Sequence, residues 1–237
     1  MNGWQEESIQ SLLNIRNEHE LLEAVAAIAR DLGFDYAAYG FRFPFPVSSP
    51  RIVMINNYPT DWQTRYREQG YLGIDPTVRH GAQSLLPIVW SDEVFASTPE
   101  FWEEARSFGL QVGWAQSSRE ASGVAGMLSL SRSGETLTGE ELSAKELMMT
   151  WLTQVAHLGM AQCLMNKMLP ESEVQLTERE LAVLRWTGDG KTVEQISDIL
   201  GISESTVNFH IRNAVNKLGA ANKLAATVKA AMLGLLY

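Results

Sequence analysis

The chain has 237 residues, of which 45% are hydrophobic and 20% charged, a size that accommodates one or two domains and a composition near the soluble average. No stretch approaches the ~18 consecutive apolar residues that a membrane span requires, so an integral membrane protein is excluded. The net charge of −9 divides unevenly: residues 1–173 carry 12 Lys and Arg against 22 Asp and Glu, whereas residues 174–237 carry 7 against 6. Attachment to phosphate draws on Lys and Arg displacing counterions, so any nucleic-acid contact is expected in the C-terminal sixty or so residues. The start, Met1 to Glu7, lacks the basic and apolar segments of a secretory signal, and Cys163, the single cysteine, has no disulfide partner in the chain. A cytoplasmic protein is the expectation.

In chain order, residues 18–32 place Leu21, Leu22, Val25, Ile28 and Leu32 on one helical face, with Gly33 as the stop. Segments 34–43, 51–56, 110–117 and 124–131 are short, rich in aromatic and branched residues and bounded by Gly, Pro or Ser, which predicts strands. A helical, tryptophan-rich insertion separates the second strand from the third. From 138 to 168 the pattern is helical again, with Leu142, Leu147, Trp151, Val155 and Leu158 as the apolar period; the methionines between Met148 and Met168 suit core or a dimer surface, because Met fills irregular apolar gaps. Helices before, between and after strands predict an α-β-α sandwich with an antiparallel sheet over residues 1–168. Residues 169–175, with Pro170 and no apolar period, read as a linker.

Residues 176–237 predict an all-α domain of four helices. Thr177 with Glu180, and Thr192 with Gln195, both match the capping box, in which the Thr hydroxyl and the side chain three residues on satisfy free backbone N–H groups. Gly188-Asp189-Gly190 ends the first helix, Gly201 ends the second, and Ser203 caps a third that runs to about Leu218. Two helices joined by a tight turn in this way form a helix-turn-helix. On the third helix Val207, Ile211 and Leu218 recur at core spacing, leaving Ser205, Asn208, Phe209, Arg212, Asn213 and Lys217 on or near the outer face. Asn and Arg can engage base edges through paired hydrogen bonds, and Ser and Lys can engage phosphates. A small helical bundle with a solvated polar face accounts for the same pattern, and the net charge of +1 in this segment leaves that alternative open.

The run Leu176 to Glu180, then Gly190-Lys191-Thr192, Ile196, Ile202 to His210, and Asn222-Lys223 resembles the DNA-binding domain of LuxR-type transcription factors. That resemblance implies promoter DNA as a partner over residues 176–237. The same domain also follows phosphorylated receiver domains, so it leaves the input open; residues 1–173 show no βα repeat of the kind a receiver requires.

What stands out in the first part is aromatic density: Tyr58, Trp62, Tyr66, Tyr71, Trp90, Phe101, Trp102 and Trp114 fall within 57 residues. Such a cluster serves a core as readily as a ligand wall. Tyr58, Trp62 and Tyr66 recur every four residues, so a helix would align them in one stripe with polar donors at their tips. Asp75 follows, directly before Pro76, where it suits either a helix cap or an acceptor for a ligand. His80 reads as structural, since no second His or Cys completes a metal site. Ser129 and Ser131 alternate with apolar residues and lack any nucleophile motif.

Asn57-Tyr58-Pro59, Trp62, Tyr66, Tyr71, Asp75-Pro76, Trp90, Phe101 to Ala105 and Gly109 to Gly113 resemble the autoinducer-binding domain of acyl-homoserine-lactone receptors, the long-chain receptors above all. The resemblance covers most of residues 20–165. It implies that Trp62 donates its indole N–H to the lactone carbonyl, that Asp75 accepts the ligand amide N–H, and that Tyr58 and Ser129 hold the amide carbonyl. Tyr66, Trp90, Phe101 and Leu110 would then enclose the ring and the head of the chain. Ala115 stands where some receptors have a hydroxyl. Ala38, Gly40, Met54, Val78, Met127 and Leu128 become acyl-chain positions, whose small members favour a medium or long chain.

These readings converge on a quorum-sensing transcriptional regulator that needs no cofactor or metal, is stabilised by an acyl-homoserine lactone, forms a homodimer and binds palindromic promoter DNA, with RNA polymerase as a further partner and no membrane. The alternatives are an antagonist acting through heterodimers and an enzyme built on a similar sandwich.

Overall fold

The computed structural model describes residues 10–43, 46, 48–120, 123–168 and 175–236. The chain divides into two compact units, one holding most residues up to Leu164, the other running from Met165 together with the short segments Pro44–Pro50 and Glu120–Val124. The expected linker at 169–175 lies outside the described residues except for Gln175.

The first unit opens with α1 (Glu18–Asp31), whose start is set by Asn17: its side chain accepts hydrogen bonds from the backbone N–H groups of His19 and Glu20. Strands β1 (Tyr36–Arg42), β2 (Ile52–Asn56), β3 (Ile88–Val89), β4 (Val112–Arg119) and β5 (Ala125–Arg132) form one antiparallel sheet in the order β2-β1-β5-β4-β3. Between β2 and β4 lie α2 (Thr60–Glu68), a single 3-10 turn (Tyr71–Gly73), α3 (Pro76–Gln83) and α4 (Pro99–Ser107); α5 (Gly139–Met168) follows β5. The antiparallel sheet flanked by helices agrees with the expectation. Strand β3 is new, and its two residues between Pro87 and Trp90 are too short to show any alternation.

Because side chains alternate across a strand, the register divides the sheet into two chemically different faces. Tyr39 pairs with Leu128 and Ile55, Ala37 with Leu130, and Leu130 with Trp114; this large-residue face packs under α1 and α5. There Tyr39 Oη and His157 Nδ1 share a 2.6 Å hydrogen bond, and Ser118 donates to Gln154 at 2.8 Å. The opposite face carries Ala38, Gly40, Gly113, Ala115, Ser117, Met127, Ser129 and Ser131. In α5 the buried residues include Met149, Leu152, Ala156, Met160 and, from the expected period, Val155, whereas Leu147 and Leu158 of that period are exposed, so the core stripe lies on a different arc of the helix from the one that the leucine spacing suggests. Glu141 joins three elements: it receives two 2.8 Å hydrogen bonds from Arg132 and one of 2.7 Å from Lys145, which also donates to the Leu32 carbonyl at the end of α1.

The second unit contains α6 (Glu178–Gly188), α7 (Val193–Leu200), α8 (Glu204–Lys217) and α9 (Lys223–Met232). Both expected capping boxes are present, at Thr177 with Glu180 and at Thr192 with Gln195. Gly201 ends α7 at φ +63, a left-handed conformation that glycine adopts without strain. Two small cores hold the bundle, one from Val183, Ile196 and Val207, the other from Leu184, Ala214, Leu218, Ala226 and Ala230. Ile196 of α7 is buried, whereas Ile199 is exposed. Among the described residues no helix is long and apolar enough to cross a membrane.

Gly126 on β5 lies directly beneath the Tyr39–His157 pair: an added β-carbon would overlap the Tyr39 hydroxyl and come within 2.6 Å of His157 Nδ1. Gly126→Ala is therefore expected to destabilise the fold by about 1–3 kcal/mol through overpacking, measured as a lowered urea midpoint at unchanged slope.

Candidate functional site

The small-residue face of the sheet is roofed by aromatic side chains. Trp62, Phe101 and Leu110 are buried in one cluster with Tyr71, Phe95 and Trp102, and Tyr58, Tyr66 and Trp90 pack against it. Trp62 on α2 lies 5.8 Å from the rings of Tyr66 and Phe101 and 5.9 Å from that of Tyr71. Trp114, one of the eight aromatics of the sequence pattern, is excluded by parity: it sits between Gly113 and Ala115 on β4 and faces α1 and α5. Trp102 serves the scaffold, donating to Asp92 at 2.7 Å and stacking on Phe95 at 4.3 Å.

The floor beneath these rings is built from pairs of small residues. Gly113 lies under the Trp90 indole so closely that a β-carbon would overlap the ring. Ser129 pairs with Ala38 and Ala115, and Met127 pairs with Gly40 and Ser117. Helix α3 closes the Ser117 side, where the Ser117 hydroxyl donates to the Gly81 carbonyl at 2.9 Å. Over Gly40 there is space: a β-carbon there would meet nothing within 4 Å.

Asp75 does what the cap reading requires of it and reaches the aromatic cluster through Tyr66. As the N-cap of α3, its Oδ1 accepts from the Thr77 backbone N–H at 2.8 Å and from the Thr77 hydroxyl at 2.7 Å. Its Oδ2 accepts the Tyr66 hydroxyl at 3.0 Å. Burial pushes the Asp75 carboxyl above its ordinary range, and the hydrogen bonds from Thr77, Tyr66 and the Val78 backbone only partly offset it. Burial likewise raises the Tyr58 and Tyr66 phenols, with the Asp75 charge adding to the effect, so both remain neutral donors. The buried Trp90 indole N–H has no acceptor among the described residues.

The structure therefore assembles Tyr58, Trp62, Tyr66, Asp75, Trp90, Phe101 and Leu110 around a floor containing Gly40, Met127 and Ser129. It adds residues that the sequence reading did not single out. Ser131 is fully buried, and it is the serine toward which the Tyr58 phenol is placed; Ser129 and Ser131 share a face, and their alternation could not say which meets the phenol. Thr77 could have been read from its place two residues after the cap. Glu104 binds Arg65 through two hydrogen bonds of 2.8 and 2.7 Å and accepts the Tyr71 hydroxyl at 2.8 Å, clamping α4 to α2 behind the aromatic rings.

In the second unit α8 exposes Ser205, Asn208, Phe209 and Arg212, with Asn213 partly covered. The Ser205 hydroxyl shares a 2.8 Å hydrogen bond with Ser203. Lys217 is occupied differently from the phosphate role expected of it: its Nζ donates to Glu180 at 2.8 Å and to the Gln175 carbonyl at 3.2 Å. Burial pushes the Glu180 carboxyl up, but Lys217 and the Thr177 backbone more than offset this and hold it below its usual range. A carboxylate this buried requires such a partner.

An α-β-α sensor unit with an aromatic chamber and a second unit with an exposed helix-turn-helix define a ligand-responsive DNA-binding regulator. Comparison with known proteins agrees. Residues 17–160 match the autoinducer binding domain, and residues 174–230 match the luxR family of bacterial regulatory proteins. The chain is 47% identical to the transcriptional activator protein AnoR of Acinetobacter nosocomialis over all of both chains. It is 38% identical to the HTH-type quorum-sensing regulator RhlR of Pseudomonas aeruginosa over 87% of this chain and 86% of that one. A crystal structure of Escherichia coli SdiA superposes with a TM-score of 0.85 at 30% identity, covering 99% of this chain and 98% of that one, and a structure of SdiA in complex with octanoyl-rac-glycerol gives 0.81, covering 99% and 96%. The chain belongs to the LuxR family of quorum-sensing transcriptional regulators, with an autoinducer-binding domain and a DNA-binding domain; the members of this family are regulators and not enzymes.

The Glu104 clamp carries a pH dependence. Hydrogen bonds from Arg65 and Tyr71 lower its carboxyl to about 2, so its contribution to stability is complete above the unfolded value of ~4.3 and is lost as the pH falls from there toward 2. The difference in melting temperature between the wild type and Glu104→Gln is expected to shrink over that window and to stay constant above about pH 5.5.

Proposed function

We propose that residues 1–168 bind an N-acyl-homoserine lactone of medium or long chain, that binding stabilises the fold and promotes a homodimer, and that residues 176–237 of the dimer then bind a palindromic promoter site in the cytoplasm and engage RNA polymerase there. The observation that supports the ligand reading is a face of small residues, open above Gly40, that lies under the aromatic cluster with the buried Asp75 carboxylate and the unpartnered Trp90 indole N–H among the polar groups around it. An acyl-homoserine lactone presents an amide N–H to such a carboxylate, carbonyls to donors such as Trp62, Tyr58 and Ser131, and a chain to the apolar space. Octanoyl-rac-glycerol, found in the SdiA complex, likewise joins a polar head to an acyl chain. The DNA reading rests on the exposed Asn208 and Arg212, one helical turn apart on α8.

Ligand that binds only the folded state adds about 2.7 kcal/mol at 100-fold excess over Kd. Melting temperature is therefore expected to rise with some members of a panel of N-hexanoyl, N-octanoyl and N-dodecanoyl homoserine lactones; identical melts across the panel would remove the ligand class. Asp75→Asn retains a side-chain oxygen that can cap α3, so its melting temperature without ligand should stay close to that of the wild type, while ligand affinity falls roughly 10- to 150-fold. Asp75→Ala should in addition lose about 1 kcal/mol of stability with the cap.

Arg212→Ala is expected to weaken specific DNA binding by about 1–3 kcal/mol if Arg212 meets a base edge, and to leave ligand-induced stabilisation unchanged. A gel shift with promoter DNA, with and without lactone, reads the first effect and a thermal melt the second.

A further inference from the structure

Helix α8 turns outward one large apolar side chain that the fold does not use. Val207, Ala214 and Leu218 are buried, whereas Ser205, Phe209, Arg212 and Asn216, at i, i+4, i+7 and i+11, are exposed along the opposite side. Phe209 sits in the middle of that stripe and is 54% exposed. Its one ring neighbour among the described residues is the adjacent His210, edge-on at 5.6 Å. The other exposed large apolar side chains of this unit, Ile199, Leu224 and Val228, lie on α7 and α9. A phenyl ring flanked by Ser205, Asn208 and Arg212 thus presents apolar surface in the middle of a polar, hydrogen-bonding face.

Resting on the DNA-binding reading above, we propose that Phe209 selects thymine at one position of each half-site by packing on its 5-methyl group in the major groove. A recognition helix enters that groove with its N-terminal turns against the base edges, and Phe209 lies in the second turn of α8. Where thymine offers a methyl group, a purine in its place offers its N7 acceptor, and cytosine offers only a C5–H beside its N4 amino group. The ring has no donor or acceptor in its plane, so seating it against a cytosine amino group or a guanine carbonyl strips water from that group without replacing the hydrogen bond. Against the thymine methyl the same ring removes apolar surface from water on both sides. Asn208 and Arg212, its neighbours on the stripe, are free to read hydrogen-bonding edges on either side of it, so the methyl contact adds a base that neither of them specifies.

The test uses the full chain with N-hexanoyl, N-octanoyl and N-dodecanoyl homoserine lactone present. Duplexes are selected from a randomised pool, and in the enriched sequence each thymine of one half-site is replaced in turn by uracil, which lacks only the methyl group. One such replacement is expected to weaken wild-type binding about fourfold. Phe209→Ala should bind the thymine and uracil duplexes equally at that position while keeping the wild-type melting temperature and its shift with lactone. Phe209→Gln, which replaces the ring by an amide, should lose the same discrimination. If no thymine methyl affects wild-type binding, or if either variant keeps the wild-type sensitivity, the assignment of Phe209 is overturned. A wild-type chain that enriches no sequence overturns the DNA-binding reading itself, and the Phe209 assignment with it.

Discussion

The two-sidedness of the antiparallel sheet is the constraint on which the sensor unit depends. A strand sends successive side chains to opposite faces, and β1, β4 and β5 use this to separate bulk from space. Tyr39, Phe41, Trp114, Leu128 and Leu130 fill the face under α1 and α5 and are buried to 1% or less, which supplies most of the apolar burial of the sheet. The alternate positions carry Gly, Ala and Ser, so the other face has room for something besides side chains. A slip of one residue in the register would exchange the two sets and close the chamber with Trp and Tyr rings. Gly113 and Gly126 show how tightly the arrangement is drawn, one beneath the Trp90 ring and the other beneath the Tyr39–His157 pair.

The chamber's polarity follows from placing few hydrogen-bonding groups in a largely apolar enclosure. Asp75 would be costly to bury as an isolated carboxylate, and the site meets part of that cost internally, through the helix cap at Thr77 and the Tyr66 hydroxyl. Its carboxyl still lies above the ordinary range, because burial outweighs the hydrogen bonds that it accepts. Trp90 holds a buried indole N–H with no partner among the described residues. Such groups are uncommon in finished cores; the Trp90 indole lies directly over Gly113 on the small-residue face, whereas Trp114 and Gln116, each also with an unpartnered buried polar atom, belong to the opposite face.

In the DNA-binding unit the same economy is achieved with caps instead of a sheet. Thr177, Thr192, Ser203 and Asn222 each accept a backbone N–H at the start of a helix, fixing four starts within fifty residues. Lys217 at the end of α8 holds the buried Glu180 of α6, so two helices are tied by a charge pair behind the exposed stripe of Ser205, Asn208, Phe209 and Arg212. Holding the framework by caps and buried pairs leaves the outward side chains of α8 free of structural duty.

The sequence by itself determined the elements whose cause is local. Helix α1 with its Gly33 stop, the two capping boxes, the left-handed glycine after α7 and the serine cap of α8 depend on residues within a few positions of one another, and they were legible for that reason. The aromatic stripe and Asp75 were legible as types and spacings, although Asp75 could be read as a cap or as an acceptor until the structure showed its two oxygens divided between Thr77 and Tyr66. Only the tertiary structure decided what depends on partners distant in the chain. It turned Trp114 away from the chamber by strand parity, placed Ser131 toward Tyr58, and moved the buried stripe of α5 off Leu147 and Leu158. It also drew Lys217 back to Glu180, 37 residues away in sequence. The physical reason is common to these cases: a periodic pattern defines which residues share a face, but which face is covered, and by what, depends on long-range packing that no local spacing encodes.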